Sequence, residues 1–257
     1  MIAVCIAGAT GWTGRALVDG VLAADDLELR SGVARSAAGG EAGGAPIYAT
    51  VAEALDGVDV LIDYTSHDVV KANALTAIER GVAVVIGTSG LTAADFEEID
   101  AAARERGVGV VAAGNFSITA AMAQAAALLV APHLPHREVI DYASATKADV
   151  PSGTARELAE RLGQVGAAPL GRPLDEIAGP REARGATVGG TQVHSVRLPS
   201  FVVSTEVVFG LPDERLSIRH DAGGSPAPYV AGTLLAARAV SDRVGLTRGL
   251  DRLLLDR

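Results

Sequence analysis

The sequence predicts an α/β protein with a doubly wound parallel sheet, followed by a second α+β domain built on a mixed sheet. Two observations support this prediction. Through the first 117 residues, short and nearly continuous apolar segments alternate with helical ones, which is typical of parallel strands buried on both faces. Beyond them, several strand-like segments follow one another across short turns, which favours antiparallel or mixed pairing.

The first element is an apolar strand over residues 2–7, which runs directly into the turn GATGWTG at residues 8–14. Glycines at this spacing permit a tight turn, close approach of a pyrophosphate and close packing of the following helix, predicted over residues 15–24. The alternative is a glycine-rich turn without a ligand. Because the turn follows the first strand of a βα unit, we expect dinucleotide binding, with these candidate contacts: Gly8, Thr10, Gly11, Trp12, Thr13 and Gly14.

The second strand, over residues 27–33, bears on the choice of cofactor. An NAD site commonly has an acidic residue near the end of this strand, whereas an NADP site favours arginine. Here Arg35 follows the strand, and the next acidic residue is Glu41. Arg35 is therefore a candidate cofactor residue that favours NADPH over NADH, unless it is only a solvated loop charge. Residues 36–46, rich in Gly and Ala, are predicted to form a mobile loop.

The alternation continues with helices over residues 51–55, 69–80 and 93–106, and strands over residues 58–64, 82–86 and 108–112. Asp68 is the predicted cap of the helix over residues 69–80. The strands end in small, polar or glycine-containing segments, at the edge where an open parallel sheet binds its ligand. The candidate cofactor residues at these ends are Tyr64, Thr65, Gly87, Thr88, Ser89, Asn115 and Phe116.

After residue 117 the pattern changes. Helices are predicted over residues 118–131, about 155–162 and 229–240, and strands over residues 138–144, 192–198, 202–209 and 215–220. Residues 163–187 lack a clear period and are predicted to form a long functional loop, while residues 246–255 close the chain. We therefore expect a dinucleotide-binding domain (residues 1–117 and 227–257) and a substrate-binding and oligomerisation domain (residues 118–226).

The segment TKADVPSGTAREL, residues 146–158, is the candidate substrate site. It contains Lys147, one of only two lysines in the chain. Pro151 suits the first position of a helix, after which Ser152, Gly153 and Thr154 would present free N–H groups and hydroxyls at the helix start. Such a start favours anions, and a lysine facing it would complete a pocket for carboxylates. The alternative is a capped surface helix with an unrelated lysine.

Composition argues against several classes of protein. A formal net charge of −9 and a pI near 5.0 disfavour a surface for nucleic acid or for anionic membranes. No apolar run approaches the roughly 20 residues of a membrane span, and nothing marks export, so we expect a cytoplasmic protein. Cys5 is the only cysteine, which excludes an intramolecular disulfide. No histidine has metal-ligand spacing to a second His, Cys or carboxylate, so no metal site is predicted.

The motifs together resemble the dihydrodipicolinate reductase family, the pyridine-nucleotide enzymes of the diaminopimelate–lysine pathway. The resemblance spans essentially the whole chain and includes GATGWTG, IDYTSHDVV, VIGTSG, AGNFS, ARGATVGG, VHSVRLPS and EVVFGLPDERLSIRHD. Its most specific part is KADVPSGTA, residues 147–155, which is close to the family's K-x-D-A-P-S-G-T-A. The resemblance implies a Rossmann-like domain completed by the carboxy-terminal helix. It also implies a mixed-sheet domain that binds substrate and forms homotetramers, with hydride passing from NADPH or NADH to a cyclic dicarboxylate.

The same resemblance implies roles for individual residues. Three glycines would cradle the pyrophosphate: Gly8, Gly11 and Gly14. Gly87 and Thr88 would lie along the nicotinamide side, and Asn115 and Phe116 would flank the cleft. The substrate carboxylates would be held by Lys147 with Ser152, Gly153 and Thr154.

Two departures from the family pattern affect the chemistry. The motif E-x-H-H-x-x-K corresponds to residues 141–147, where Ala143 and Ser144 replace two histidines that assist protonation and substrate binding. A histidine general acid contributes about 10²–10⁴-fold in rate, whereas alanine cannot donate a proton and serine is a poor acid near neutral pH. Either Lys147 or water then supplies the proton, or the substrate is different; Ser144 is a substrate-binding candidate. In the turn, Thr10 and Trp12 replace basic residues common in the family, which weakens the preference for NADPH.

Three functions follow from these observations. The first is an NAD(P)H-dependent reductase that transfers hydride to a cyclic imine or conjugated carboxylate, as the family does. The second is a paralogue that acts on a different carboxylated imine or as a dehydrogenase. The third is a catalytically silent cofactor-binding protein, against which the presence of Lys147 and the SGT segment argues, because a sensor of cofactor alone needs no substrate clamp.

Overall fold

The computed structural model describes residues 1–255 and divides the chain into two compact units. The first unit consists of Met1–Ile118 and the chain from Ser225 onward, and the second of Thr119–Gly224. No helix within the described residues is long and apolar enough to cross a membrane.

The described strands are β1 (Ile2–Ala7), β2 (Leu27–Val33), β3 (Glu41–Ala42), β4 (Ala45–Tyr48), β5 (Val60–Asp63), β6 (Ala83–Ile86), β7 (Gly109–Ala112), β8 (Arg137–Ala143), β9 (Ala186–Val188), β10 (Thr191–Arg197), β11 (Val203–Leu211), β12 (Glu214–Asp221) and β13 (Gly245–Arg248). The described α-helices are α1 (Trp12–Leu22), α2 (Val51–Ala54), α3 (Val70–Glu79), α4 (Ala93–Arg106), α5 (Ile118–Val130), α6 (Gly153–Val165), α7 (Ala227–Ala239) and α8 (Leu250–Leu255). Short 3₁₀ turns cover Arg35–Ala37, Arg181–Arg184 and Val240–Asp242.

The first unit is built on an eight-stranded sheet in the order β13-β7-β6-β5-β1-β2-β4-β3. Every pair is parallel except β3 with β4, which confirms the predicted doubly wound architecture. Strands β5, β6 and β7 are buried along their whole length, because helices cover both faces of a parallel sheet. In the register, Asp63 of β5 lies opposite both Ala7 of β1 and Ile86 of β6. The segments that follow these strands therefore meet at one edge of the sheet.

Several predictions for this unit are wrong in detail. Residues 36–46 do not form a mobile loop throughout, because β3 and β4 pair as a hairpin and β4 extends the sheet beside β2. Gly43 and Gly44 both have positive φ, which is the conformation that a two-residue hairpin turn requires. Asp68 does not cap α3; the N-cap is Val69, without a side-chain bond, and Asp68 instead lies 3.0 Å from His67 Nε2.

Strand β13 is missing from the sequence prediction. The predicted closing segment, residues 246–255, has no strand assigned to it, whereas β13 pairs in parallel with β7 at the edge of the sheet. Its four residues are too few to show a period, so their strand conformation depends on that pairing.

The second unit contains a five-stranded sheet in the order β12-β11-β8-β10-β9. β8 and β10 run parallel and the other pairs antiparallel, so the sheet is mixed, as predicted. Burial alternates along β8, with residues 137, 139, 141 and 143 buried. Val139 belongs to an apolar core with Leu158 and Leu162 of α6, so this face of β8 is the one that α6 covers. The predicted loop over residues 163–187 is shorter than expected, because α6 extends to Val165 and β9 begins at Ala186.

Candidate active site

The glycine turn after β1 leaves no space for a side chain at Gly8 or at Gly14. Gly8 has φ +86°, and a Cβ there would lie 2.8 Å from the carbonyl carbon of Tyr64. A Cβ on Gly14 would lie 2.8 Å from the carbonyl carbon of Gly8, so α1 packs directly on the turn. Backbone atoms cannot move aside as a flexible side chain can. The turn therefore has the close-packed cradle that a dinucleotide pyrophosphate needs.

The start of α1 offers backbone donors at this cradle. Gly11 is the N-cap in an extended conformation and has no side-chain capping bond. The first N–H groups of a helix have no intrahelical acceptor, and here they belong to Trp12, Thr13 and Gly14. The helix begins three residues earlier than predicted, because the glycine N-cap allows the chain to enter the helix directly. An anionic pyrophosphate fits this arrangement.

Trp12 and Arg35 are the exposed candidates near the cradle. The indole of Trp12 is 54% exposed, and its ring meets Tyr229 of α7 edge-on, with 6.2 Å between the ring centroids. Arg35 is exposed and starts the 3₁₀ turn after β2. Both residues follow the carboxyl ends of neighbouring strands, β1 and β2.

A buried carboxylate links the ends of β5 and β6. Asp63 is fully buried, and its Oδ1 accepts hydrogen bonds from the Thr65 N–H (2.9 Å), the Thr65 hydroxyl (2.6 Å) and the Thr88 hydroxyl (2.7 Å). Its Oδ2 accepts from Asn73 Nδ2 at 2.8 Å. Thr65 and Thr88 were predicted as cofactor residues, whereas Asp63, which holds both, was not. An acidic residue that ends an otherwise apolar strand was the available signal.

Tyr64 supports the loop after β6 from beneath. A Cβ on Gly87 would lie 2.5 Å from Cε2 of the Tyr64 ring and nearer still to Cζ and Cε1, so the ring occupies the space under Gly87. The Tyr64 hydroxyl lies 2.8 Å from Thr233 Oγ1, and burial raises the pKa of this hydroxyl above its usual value. The Phe116 ring, 6.1 Å from that of Tyr64, is only 1% exposed. What Phe116 can offer a cofactor is therefore its backbone.

The remaining candidates of this unit lie on the same edge. Ser89 follows Thr88 in the half-buried segment after β6. Asn115 follows β7, and its Oδ1 accepts a hydrogen bond of 2.8 Å from the Ser117 N–H, which fixes the turn between β7 and α5. Thr10 is half-buried within the glycine turn. The structure thus brings the predicted cofactor residues to the carboxyl edge of the parallel strands, where a doubly wound sheet binds its ligand.

In the second unit, the start of α6 is the predicted anion site, and its hydrogen bonds differ from the prediction. Ser152 is the N-cap of α6, and its hydroxyl accepts a hydrogen bond from the Ala155 N–H. The Ser152 N–H donates to Asp141 Oδ2 at 2.9 Å. The prediction that Ser152 presents a free N–H, and that Pro151 is the first helical residue, is therefore wrong. Gly153 and Thr154 form the first turn of α6, where backbone N–H groups face away from the helix.

Lys147 lies in an internally bonded loop and is paired with a carboxylate. Its Nζ lies 2.7 Å from Asp149 Oδ1, and both side chains are 26% exposed. The Lys147 N–H donates to the Ser144 carbonyl at 3.0 Å, and the Ser144 hydroxyl lies 3.0 Å from Thr146 Oγ1. The loop over residues 144–147 is thus internally bonded, which places the ammonium near the surface with a carboxylate partner.

An ion pair between the fully buried Asp141 and the half-buried Arg197 was not predicted. Asp141 Oδ2 accepts from Arg197 Nη2 at 2.8 Å and from the Ser195 hydroxyl at 3.0 Å. The same Nη2 donates to the Asp149 carbonyl at 2.9 Å. Arg197 lies in β10, more than 50 residues from Asp141 in the chain, so no local pattern links them.

The structure also shows where Ala143 and Ser144 lie, at the positions where the family resemblance implies two histidines. Ala143 is fully buried on the face of β8 that α6 covers, and Ser144 is half-buried just past the strand. Tyr142 points to the opposite face, where its hydroxyl donates to Glu206 Oε2 at 3.2 Å and Arg219 lies over its ring. Tyr142 therefore does not face the start of α6. In the part of the chain that the structure describes, no group of three or more His, Cys, Asp or Glu side chains could hold a metal ion.

Comparison with known proteins identifies the family to which the chain is similar. Residues 2–116 match the family model for the dihydrodipicolinate reductase N-terminus, and residues 114–254 match the model for the C-terminus. The chain is 37% identical to the 4-hydroxy-tetrahydrodipicolinate reductase of Moorella thermoacetica over 98% of both sequences. It is 38% identical to that of Nocardia farcinica over 97% of both. A solved dipicolinate-bound dihydrodipicolinate reductase from Paenisporosarcina sp. TG-14 superposes with a TM-score of 0.77 at 27% identity, covering 98% of this chain and 99% of that one.

Proposed function

Because the chain belongs to the dihydrodipicolinate reductase family, we propose that it reduces 4-hydroxy-tetrahydrodipicolinate with NADPH or NADH, as a step of the diaminopimelate–lysine pathway. The observation that carries this proposal is the 37% identity to a 4-hydroxy-tetrahydrodipicolinate reductase over 98% of both chains. The KADVPSGTA segment supports the same substrate class, since it joins a lysine to a helix start in the manner suited to carboxylates.

We assign the cofactor to the first unit. Gly8, Gly11 and Gly14 provide the cradle for the pyrophosphate, and the N–H groups of the first turn of α1 face the anion. Gly87 and Thr88 are assigned to the nicotinamide side, with Asn115 beyond them. Arg35 favours NADPH, because a guanidinium can bind the additional phosphate bidentately, while the apolar Trp12 keeps the preference small. The KM values for NADPH and NADH should therefore differ modestly. Arg35→Ala should raise the KM for NADPH and leave the KM for NADH unchanged.

We assign the substrate to the second unit, with Lys147, Gly153 and Thr154 holding its carboxylates and Ser144 alongside. The bound cofactor supplies the hydride. Lys147 then has two tasks: its ammonium balances substrate charge, and its Nζ–H supplies the proton that a histidine would otherwise give. Asp149, 2.7 Å from Nζ, holds the ammonium in place for both. Ser152 serves indirectly, because its N–H and hydroxyl are committed to Asp141 and to the cap of α6.

The family resemblance further implies a homotetramer in the cytoplasm, with the second unit providing the subunit contacts. Size-exclusion chromatography with light scattering would test the assembly. A mass near four times 26.0 kDa is expected, and a monomer would contradict this part of the proposal.

The direct test is oxidation of NADPH, and then of NADH, with freshly generated 4-hydroxy-tetrahydrodipicolinate. Turnover well above the background without enzyme is expected. If neither cofactor is oxidised, the proposed substrate is wrong.

One observation favours a second candidate function. The family resemblance implies a histidine pair where this chain has Ala143 and Ser144, and the hydrogen bonds and ion pair around Lys147 involve no histidine among the described residues. A paralogue that reduces another carboxylated cyclic imine, or runs as a dehydrogenase, would need a different proton donor or none. A panel of such imines separates this candidate from the first. Cofactor binding without turnover of any of them would leave a silent cofactor-binding protein.

A further inference from the structure

The ion pair between Asp141 and Arg197 has no part in the proposed chemistry, yet it lies at the base of the substrate clamp, which we define as Lys147, Gly153 and Thr154. We propose that this pair is the positioning element of the clamp and sets the affinity for the dicarboxylate. The proposal deepens the proposed function and rests on its assignment of the substrate to the clamp.

Asp141 is hydrogen-bonded to the residue that caps α6. Its side chain is fully buried, and Oδ2 accepts three hydrogen bonds, from the Ser152 N–H, the Ser195 hydroxyl and Arg197 Nη2. The Ser152 bond joins β8 to the residue that caps α6. Because Gly153 and Thr154 follow this cap, the direction of their N–H groups is fixed through Asp141.

Arg197 is hydrogen-bonded to the loop that contains Lys147. The nitrogen that binds Asp141 also donates to the Asp149 carbonyl at 2.9 Å. The carboxylate of Asp149 in turn lies 2.7 Å from Lys147 Nζ. The two halves of the clamp, the helix start and the lysine, are therefore tied to a single nitrogen–oxygen contact.

The ion pair between Asp141 and Arg197 is poorly suited to stabilising the fold. Asp141 Oδ1 and Arg197 Nε are both buried and have no hydrogen-bond partner among the described atoms. A buried ion pair is weak support for stability even when every polar atom is satisfied, and this pair is not fully satisfied. The hydrogen bonds that the pair does make go to Ser152, which caps α6, and to Asp149, which binds Lys147. This arrangement is the one expected of residues that position the clamp.

Arg197→Gln tests the proposal, because glutamine cannot reach both Asp141 and Asp149. We expect the KM for 4-hydroxy-tetrahydrodipicolinate and the Kd for dipicolinate to rise about 10- to 100-fold, since a displacement of about 1 Å costs up to that much. Cofactor affinity, followed through the single tryptophan in the other unit, should not change. Arg197→Lys, which keeps the charge but can make only one of the two contacts well, should be intermediate. Asp141→Asn combined with Arg197→Gln should be no worse than the poorer single variant.

Arg137→Gln is the matched control. Arg137 is also buried, lies in β8 and donates to the Leu162 carbonyl at 2.8 Å and to the Gly166 carbonyl, so it holds the opposite end of the same helix. This variant should lower thermal stability without changing the KM or the Kd for dipicolinate. If it raises both as much as Arg197→Gln does, or if Arg197→Gln binds dipicolinate like the wild type, the positioning role is refuted.

Backbone hydrogen exchange of the ligand-free protein separates this proposal from the proposed function. The Ser152 and Lys147 amides should exchange faster in Arg197→Gln and in Arg197→Lys than in the wild type. Their exchange rates should be unchanged in Arg137→Gln. If the wild type does not reduce 4-hydroxy-tetrahydrodipicolinate, the exchange data still decide whether the pair orders the clamp. Unchanged protection in both Arg197 variants would overturn it.

Discussion

Gly87→Ala should weaken cofactor binding because of Tyr64. The glycine has no left-handed φ, so alanine is allowed by the backbone and the only obstacle is the ring beneath it. Carbon atoms pack best at about 3.5 Å, whereas the new Cβ would lie 2.5 Å from Cε2. Because Cζ and Cε1 would lie nearer still, something must move by at least about 1 Å.

The ring is not free to make that movement. Its hydroxyl lies 2.8 Å from Thr233 Oγ1, which itself donates to the Tyr229 carbonyl at 2.8 Å. The strain should cost roughly 1–3 kcal/mol in the free energy of unfolding of the first unit. Displacement of the Gly87–Thr88 backbone should raise the Kd for NADPH by about 10- to 100-fold.

Trp12 provides the assay for both quantities. It is the only tryptophan, lies in the first unit and is exposed in the glycine turn, so its fluorescence reports both urea unfolding of that unit and quenching by bound reduced nicotinamide. The control is the same substitution in a Tyr64→Ala background. There the alanine at residue 87 should cost almost nothing, which gives a coupling energy of about 1–3 kcal/mol. An equal cost in both backgrounds would show that the Tyr64 ring is not the obstacle.

Three further predictions follow from other contacts. Gly14→Ala should abolish NADPH binding, because its Cβ would lie 2.8 Å from the Gly8 carbonyl carbon, while Gly171→Ala, in open space, should bind as the wild type does. Asp63→Ala removes four hydrogen bonds from half-buried donors at a fully buried carboxylate, so it should lower the free energy of unfolding by about 1–3 kcal/mol and weaken NADPH binding; wild-type affinity would contradict the role given to these bonds. Burial lowers the pKa of His220, and the negative charge of Asp221 opposes this shift only in part. The neutral imidazole is therefore favoured in the folded protein, so the stability that His220 contributes is present above about pH 6.5 and is lost as the pH falls through its pKa in the folded state. The unfolding midpoint of His220→Gln should therefore depend less on pH than that of the wild type between about pH 7 and pH 5, and identical slopes would refute this assignment.

The sequence predicted the parts of the fold that local patterns determine. β1, β2 and α4 have the predicted bounds. β1 runs directly into the glycine turn, and α4 lies between a capping residue and a glycine. Thr92 and Asp95 form the capping box that starts α4, and Gly107, with φ +69°, ends it. The strand order confirms the predicted Rossmann-like and mixed-sheet architecture. The comparisons confirm the predicted family.

What the sequence could not provide depends on distant partners. Composition suggested a loop where β3 and β4 form a hairpin, since Gly43 and Gly44 indicate a turn but not the strands on either side of it. The clamp is proposed from its motif, but the motif does not show the bonds that use the N–H and hydroxyl of Ser152. Asp141 and Arg197 could be linked only through the pairing of β8 with β10, which no local period encodes.

The most direct test of the whole account is steady-state reduction of 4-hydroxy-tetrahydrodipicolinate by the wild type, Lys147→Met and Lys71→Met in one NADPH-coupled assay. Lys71 is the only other lysine and is paired with Asp95 and Glu98 in the first unit, so its replacement is the matched control. We predict turnover by the wild type and by Lys71→Met, with a loss of at least about 10²-fold in kcat/KM for Lys147→Met. A wild type without turnover, or a Lys147→Met enzyme as active as the control, would contradict the account.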